Sequence, residues 1–188
     1  MKKNSIPWLA ALAVLLTMMA CTVFIGGPDY PSRTIPVSTE AVGDLQQSIA
    51  EAIAAGAVTG QVTITITEPQ LTSYLAMKFQ QQANPLLTDP QVYLQDGQIQ
   101  IYGRAKKGNF EATALIVLTA GVDENGELKI ELTSADFGPL PIPTGLLDAV
   151  TAMIDEAFTG SVGPVATGIR LTSVTVADGV MTISGQIK

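Results

Sequence analysis

The spacing of apolar residues changes several times along the chain, and each change marks an element. From Trp8 to Gly27 there is no alternation at all: twenty residues are almost wholly apolar, with Lys2 and Lys3 before them and no charge after them until Asp29. Twenty residues at 1.5 Å each span about 30 Å, the hydrocarbon thickness of a bilayer. The run predicts a membrane-directed segment over 1–27, with the lysines cytoplasmic and the rest of the chain outside. Residues 28–38 are rich in proline and lack any period, which predicts an extended tether. A single extracytoplasmic domain is then expected over 39–188.

Within that domain, Val42, Leu45, Ile49 and Ile53 recur at helical spacing, so a helix is expected over Thr39 to Ala55 and an end at Gly56. Val62, Ile64 and Ile66 alternate with threonines as in a half-buried strand. The period switches at Thr67, where Thr67-Glu68-Pro69-Gln70 fits a capping box. A helix follows to about Gln82, carrying Leu71, Leu75 and Phe79 on one face. Strands over Gln91–Gln95 and Gln98–Arg104 flank Asp96-Gly97, a type I′ turn dipeptide. Phe110 to Val122 contains an apolar stretch, Ala114 to Leu118, that suits a central strand covered on both sides. Glu127 to Ala135 alternates again. A proline-rich loop, Phe137 to Pro143, leads to a helix over about Thr144 to Phe158, with Leu146, Val150 and Ile154 inward. Ile169–Val176 and Val180–Ile187 form a last hairpin around Asp178-Gly179. The fold class is α+β: a curved, mostly antiparallel sheet of about seven strands with two or three helices. The two hairpins align at an offset of 82 residues, Asp96-Gly97 on Asp178-Gly179, which suggests a helix-plus-hairpin unit used twice.

Composition narrows the chemistry. The chain has 47% hydrophobic and 14% charged residues, no histidine and a net charge of −7. Without histidine there is no Ser-His-Asp system and no His-ligated metal site. Removing the first twenty residues leaves eight bases against seventeen acids, a net of −9, which argues against nucleic acid. Asp148 and Asp155, two helical turns apart, are the best pair for acid catalysis, but the wet side of a helix explains them as well. Asp123 to Glu127 offers oxygens to a cation without the spacing of a calcium loop. Lys106-Lys107 is too short for a basic patch. No cofactor is expected, and no enzyme.

Cys21 is the lone cysteine. Leu16-Thr17-Met18-Met19-Ala20-Cys21 resembles a bacterial lipobox, in which the Cys21 thiol would carry lipid. An uncleaved anchor is the favoured alternative, because Thr22-Val23-Phe24-Ile25 continues the apolar run. A cleaved secretory signal fits least well, with bulky Met18 at the −3 position.

Residues 66–75, 87–103 and 135–143, the last reading Ala-Asp-Phe-Gly-Pro-Leu-Pro-Ile-Pro, together resemble the bacterial YpmS-type and LmeA-type envelope proteins. The resemblance covers about 60 to 188. It implies a lipid-transfer-like fold, a long curved sheet around helices, that takes phospholipid or another acyl-chain ligand. It carries over no catalytic residue. Leu71, Leu75, Phe79, Leu146, Val150 and Ile154 are the residues expected to line an apolar groove, although a filled core would use them equally. The rival function is an envelope scaffold with a closed core and a protein partner.

Overall fold

Ser38 begins the first helix by accepting the Ala41 N–H on its hydroxyl at 3.0 Å. The structure, a computed structural model, describes residues 22–85, 87–145, 148–153 and 168–187. Helix α1 runs Thr39–Thr59, four residues past the expected end. Gly56 is not its terminus but a contact: a Cβ there would lie 2.4 Å from Val62 Cγ2. The left-handed cap is Gly60, at φ 77°. Strand β2 (Gln61–Thr67) buries Val62, Ile64 and Ile66. Helix α2 (Glu68–Gln80) starts where the Gln70 side chain accepts the Thr67 N–H at 2.9 Å. A further helical stretch covers 148–153; Leu146, Ile154 and Asp155 lie outside the described residues. Among the described residues no helix is long and apolar enough to cross a membrane.

One sheet contains β3 (Thr88–Gln95), β4 (Gln98–Lys107), β5 (Phe110–Val122) and β6 (Leu128–Asp136), all antiparallel neighbours in that order. β3 begins three residues before the expected Gln91, because a bulge accommodates Asp89 and Pro90, whose ring nitrogen cannot donate to the ladder. The second sheet has the order β2, β8 (Val180–Ile187), β7 (Ile169–Ala177). An eighth strand, β1 (Val23–Phe24), pairs parallel with Phe110 and Glu111 of β5. It lies inside the run of apolar residues that predicted a membrane segment. The fold is α+β with a sheet curled into a half-barrel.

The two hairpins meet at their tips. Gly97 donates its N–H to Val176 O at 2.9 Å, and Gly179 donates to Leu94 O at 2.8 Å. From this joint β4 runs one way to Lys107 and β8 the other way to Ile187, so the Gly108 turn and the Gly60 cap are at opposite ends of the sheet. The core fills the concave side, where Val92, Leu94, Ile99, Ile101, Ile116 and Leu118 face α1, α2 and 148–153.

Residues 28–38, expected to be an extended tether, lie across the convex face of β3 and β4. Ile35 donates its N–H to the Gln91 side chain and accepts from it at 3.1 Å. Tyr30 stacks edge-on against Tyr102, and Arg33 sits 5.3 Å over the Tyr93 ring. A proline-rich segment satisfies few hydrogen bonds internally, so side-chain amides and tyrosine faces on the sheet take its place as partners.

Candidate functional site

The end of the half-barrel marked by Lys107 and Phe110 is built by four segments. On β4, Ile99, Ile101, Gly103 and Ala105 form the inward row; with a period of two, Lys107 continues that row to the rim. Opposite it, Phe110 begins the inward row of β5. The third segment is the loop after β6. Phe137 is buried in the core, and from it Leu140, Pro141, Ile142 and Pro143 cross in front of Ala105 and Lys107. The fourth is the segment after α2, which contributes Asn84 and Pro85. The first, third and fourth of these line a pocket of about 520 Å³, and Phe110 lies beside it across the turn from Lys107. A neighbouring pocket of about 230 Å³ shares Pro85 and is lined by Phe79, Leu87 and Pro90. The first is in the size range of small-molecule sites, about 300–1,000 Å³.

Of the six residues expected to line a groove, the four that are described lie in the core. Leu71, Leu75, Phe79 and Val150 are all buried in one cluster, between 0% and 3% exposed, and packed against the concave sheet. Phe79 lines the smaller pocket. Cys21, Leu146 and Ile154 lie outside the described residues.

Charge is held on the convex side of the same end. Arg104 donates to Glu111 at 2.9 Å, and Lys106 Nζ is 3.2 Å from the other carboxylate oxygen. The hydrogen bond from Arg104, with Lys106 beside it, holds the Glu111 carboxyl below the usual carboxylate range although burial opposes this. Burial, helped by the Asp89 carboxylate, pushes the Tyr30 phenol up to about 12. Its hydroxyl donates to the Asp89 carbonyl.

A second polar cluster lies at the joint. The Glu68 carboxylate accepts the Leu94 N–H at 3.0 Å and pairs with Arg33, while the Glu68 N–H donates to Gly179 O at 3.2 Å. These bonds pin the start of α2 to both hairpin tips. Asp123, which offered oxygens to a cation, spends them on the Asn125 and Glu127 N–H groups of its own turn. Asp148 is exposed. Among the described residues no three acidic or thiol side chains gather as a metal site requires.

Sequence reasoning missed the rim. Lys107 and Phe110 flank one turn and Ile142 lies in another loop, and no period within one element connects them. The only signal was local, a Lys-Lys-Gly turn followed by phenylalanine and an isoleucine between prolines.

A concave apolar sheet packed on helices, with a pocket of largely apolar walls and a lysine at one end, has the kinds of surface that an acyl chain and a phosphate need. Comparison with curated proteins gives no match. Residues 33–186 match the LmeA-like phospholipid-binding family, and the chain belongs to that family.

Proposed function

We propose that the protein is a membrane-tethered, extracytoplasmic binder of phospholipid that acts without catalysis. Membership of a phospholipid-binding family, in a chain whose concave sheet is lined by apolar side chains, carries the reading. The absence of histidine from the sequence favours recognition by shape and apolar surface over proton transfer. Lipid would occupy the interior bounded by Leu71, Leu75, Phe79, Leu146, Val150 and Ile154, reached through the Pro85 pockets. The described members of that set are closely packed, so binding would displace them, and a 520 Å³ pocket beside them gives room to begin.

The pairing of Val23 with Phe110 favours acylated Cys21 over an uncleaved span as the tether. With β1 committed to the sheet, Trp8 to Thr22 remains, and as a helix these fifteen residues span about 22 Å, short of the ~30 Å bilayer core. Diacylglyceryl on the sulfur of the Cys21 peptide would support this, and a free thiol on an intact N-terminus would exclude it.

Native mass spectrometry of the full chain, released from detergent, tests the lipid reading. A phospholipid adduct of fixed stoichiometry is expected. A bare mass that does not change on adding phospholipid would favour the second reading, an envelope scaffold. The packing of Leu71 and Leu75, at 0% and 1% exposure, is the observation on that side.

A further inference from the structure

The rim described above exposes apolar surface that the core does not need. Among the described residues six large hydrophobic side chains are exposed, and four of them belong to this end: Val23 at 50% and Phe110 at 52% on one face of the β1–β5 pair, Phe24 at 60% on its other face, and Ile142 at 52% in the loop after β6. They come from three separate stretches of sequence. Val23 lies opposite Phe110 in the β1–β5 pair, and its N–H donates to Asn109 O at 2.8 Å. The loop that carries Ile142 is anchored beside them, since a Cβ on Gly138 would stand 2.7 Å from Gly27 Cα. Exposed apolar groups drawn together from distant stretches mark a contact surface, whereas singly scattered ones do not.

We infer that this rim docks on the surface of a phospholipid bilayer and admits lipid from it into the half-barrel. Three observations select a bilayer as the occupant. The described chain begins at this rim, with Thr22 before β1, so a tether at Cys21 would be attached beside it. The loop backbone suits an interface, because Pro139, Pro141 and Pro143 have no N–H to lose from water. The charges are also placed for phosphate. Lys107 stands at the pocket mouth in a domain that is otherwise strongly acidic, as cations beside inserted apolar groups do at membrane surfaces, while its neighbour Lys106 is engaged by Glu111 on the convex side. Docking in this pose would set the pocket lined by Lys107, Leu140 and Ile142 against the headgroups, with the interior of the sheet directly behind Phe137.

The inference rests on the lipid-binding reading, and one experiment separates them. The full chain is reconstituted into vesicles of phosphatidylcholine and phosphatidylglycerol with a benzophenone amino acid at Phe110, Ile142 or Val58. Val58, 89% exposed near the end of α1, lies at the opposite end of the sheet. Irradiation followed by mass spectrometry should find lipid adducts at 110 and 142 at severalfold the yield at 58. Equal or greater yield at 58, or none at 110 and 142, would overturn the docking pose. Adducts at the rim in a chain that retains no lipid in native mass spectrometry would support docking and count against the carrier reading alone.

Discussion

Gly97 and Gly179 occupy the same place in two hairpin turns 82 residues apart, and each donates its N–H into the other hairpin, to Val176 O and Leu94 O. Adding 82 to one donor and subtracting it from its acceptor gives the other bond, so the joint has a local two-fold relation. Both turns are alike in backbone: Asp96 and Asp178 have φ of 53° and 54°, Gly97 and Gly179 of 76° and 79°. An L side chain at that left-handed position costs about 1–2 kcal/mol. Gly97→Ala meets open space, and a Cβ at Gly179 would be 3.5 Å from the Glu68 carboxylate, an ordinary contact. Each single alanine variant should therefore lose about 1–2 kcal/mol in urea unfolding, with similar values for the two sites.

Glu68 joins the same turns to α2. Replacing it with alanine leaves the buried Leu94 N–H without an acceptor, which costs about 1–3 kcal/mol. Glu68→Gln keeps an oxygen for that N–H and loses only the charge opposite Arg33, whose side chain is largely exposed. The glutamine variant should retain most of the stability that the alanine variant loses. Equal losses in chemical denaturation would mean that the ion pair, not the amide bond, is the main contribution.

The elements that sequence revealed are those whose signal repeats inside one segment. Val62, Ile64 and Ile66, the Thr67 helix start and the two Asp-Gly turns all appear as expected. Gly56 misled because a glycine required by close packing against Val62 looks in sequence like one that ends a helix. Residues 28–38 misled because their partners, Gln91, Tyr93 and Tyr102, lie about sixty residues away and an extended segment has no period of its own. β1 was hidden by its apolarity, which suits a membrane segment and an edge strand alike. The buried face of α2, with Leu71, Leu75 and Phe79, was legible for the same reason as the strands, whereas the rim, made by turns, was not.

Acid should reveal Glu111. A carboxyl that is more acidic in the folded chain than in the unfolded one takes up its proton preferentially on unfolding. Its contribution is therefore complete above the ordinary value of 4.5 and is lost as the pH falls through the lower, folded value. The urea midpoint of the parent chain should fall across that window more steeply than that of Glu111→Gln, which has no carboxyl to protonate there. Parallel curves below pH 4.5 would remove the Arg104–Glu111–Lys106 cluster from the stability of this end.

Alkali should act on the strap that crosses the convex face. Tyr30 ionises near 10.0 when free and at about 12 in the fold, so the unfolded chain loses this proton first as the pH rises. Stability from this group is present below pH 10 and declines from there towards 12. Absorbance at 295 nm should show late-titrating phenol that Tyr30→Phe reduces by one tyrosine, the remainder including Tyr93, which burial also raises. That variant should also lose about 1 kcal/mol at neutral pH for the hydrogen bond to the Asp89 carbonyl.

Phe79 and Ile142 border neighbouring pockets and should separate packing from lipid uptake. Phe79 is 3% exposed and belongs to the core cluster, so Phe79→Ala should destabilise by about 3–5 kcal/mol. Ile142 is half exposed between two prolines, and Ile142→Ser should change stability by no more than about 0.5 kcal/mol. If the rim admits lipid, the serine variant should acquire fluorescent phospholipid from donor vesicles several times more slowly than the parent chain while unfolding at the same urea concentration. A slowed variant with an unchanged midpoint locates the effect at the surface, because a core defect of the Phe79→Ala kind would move both.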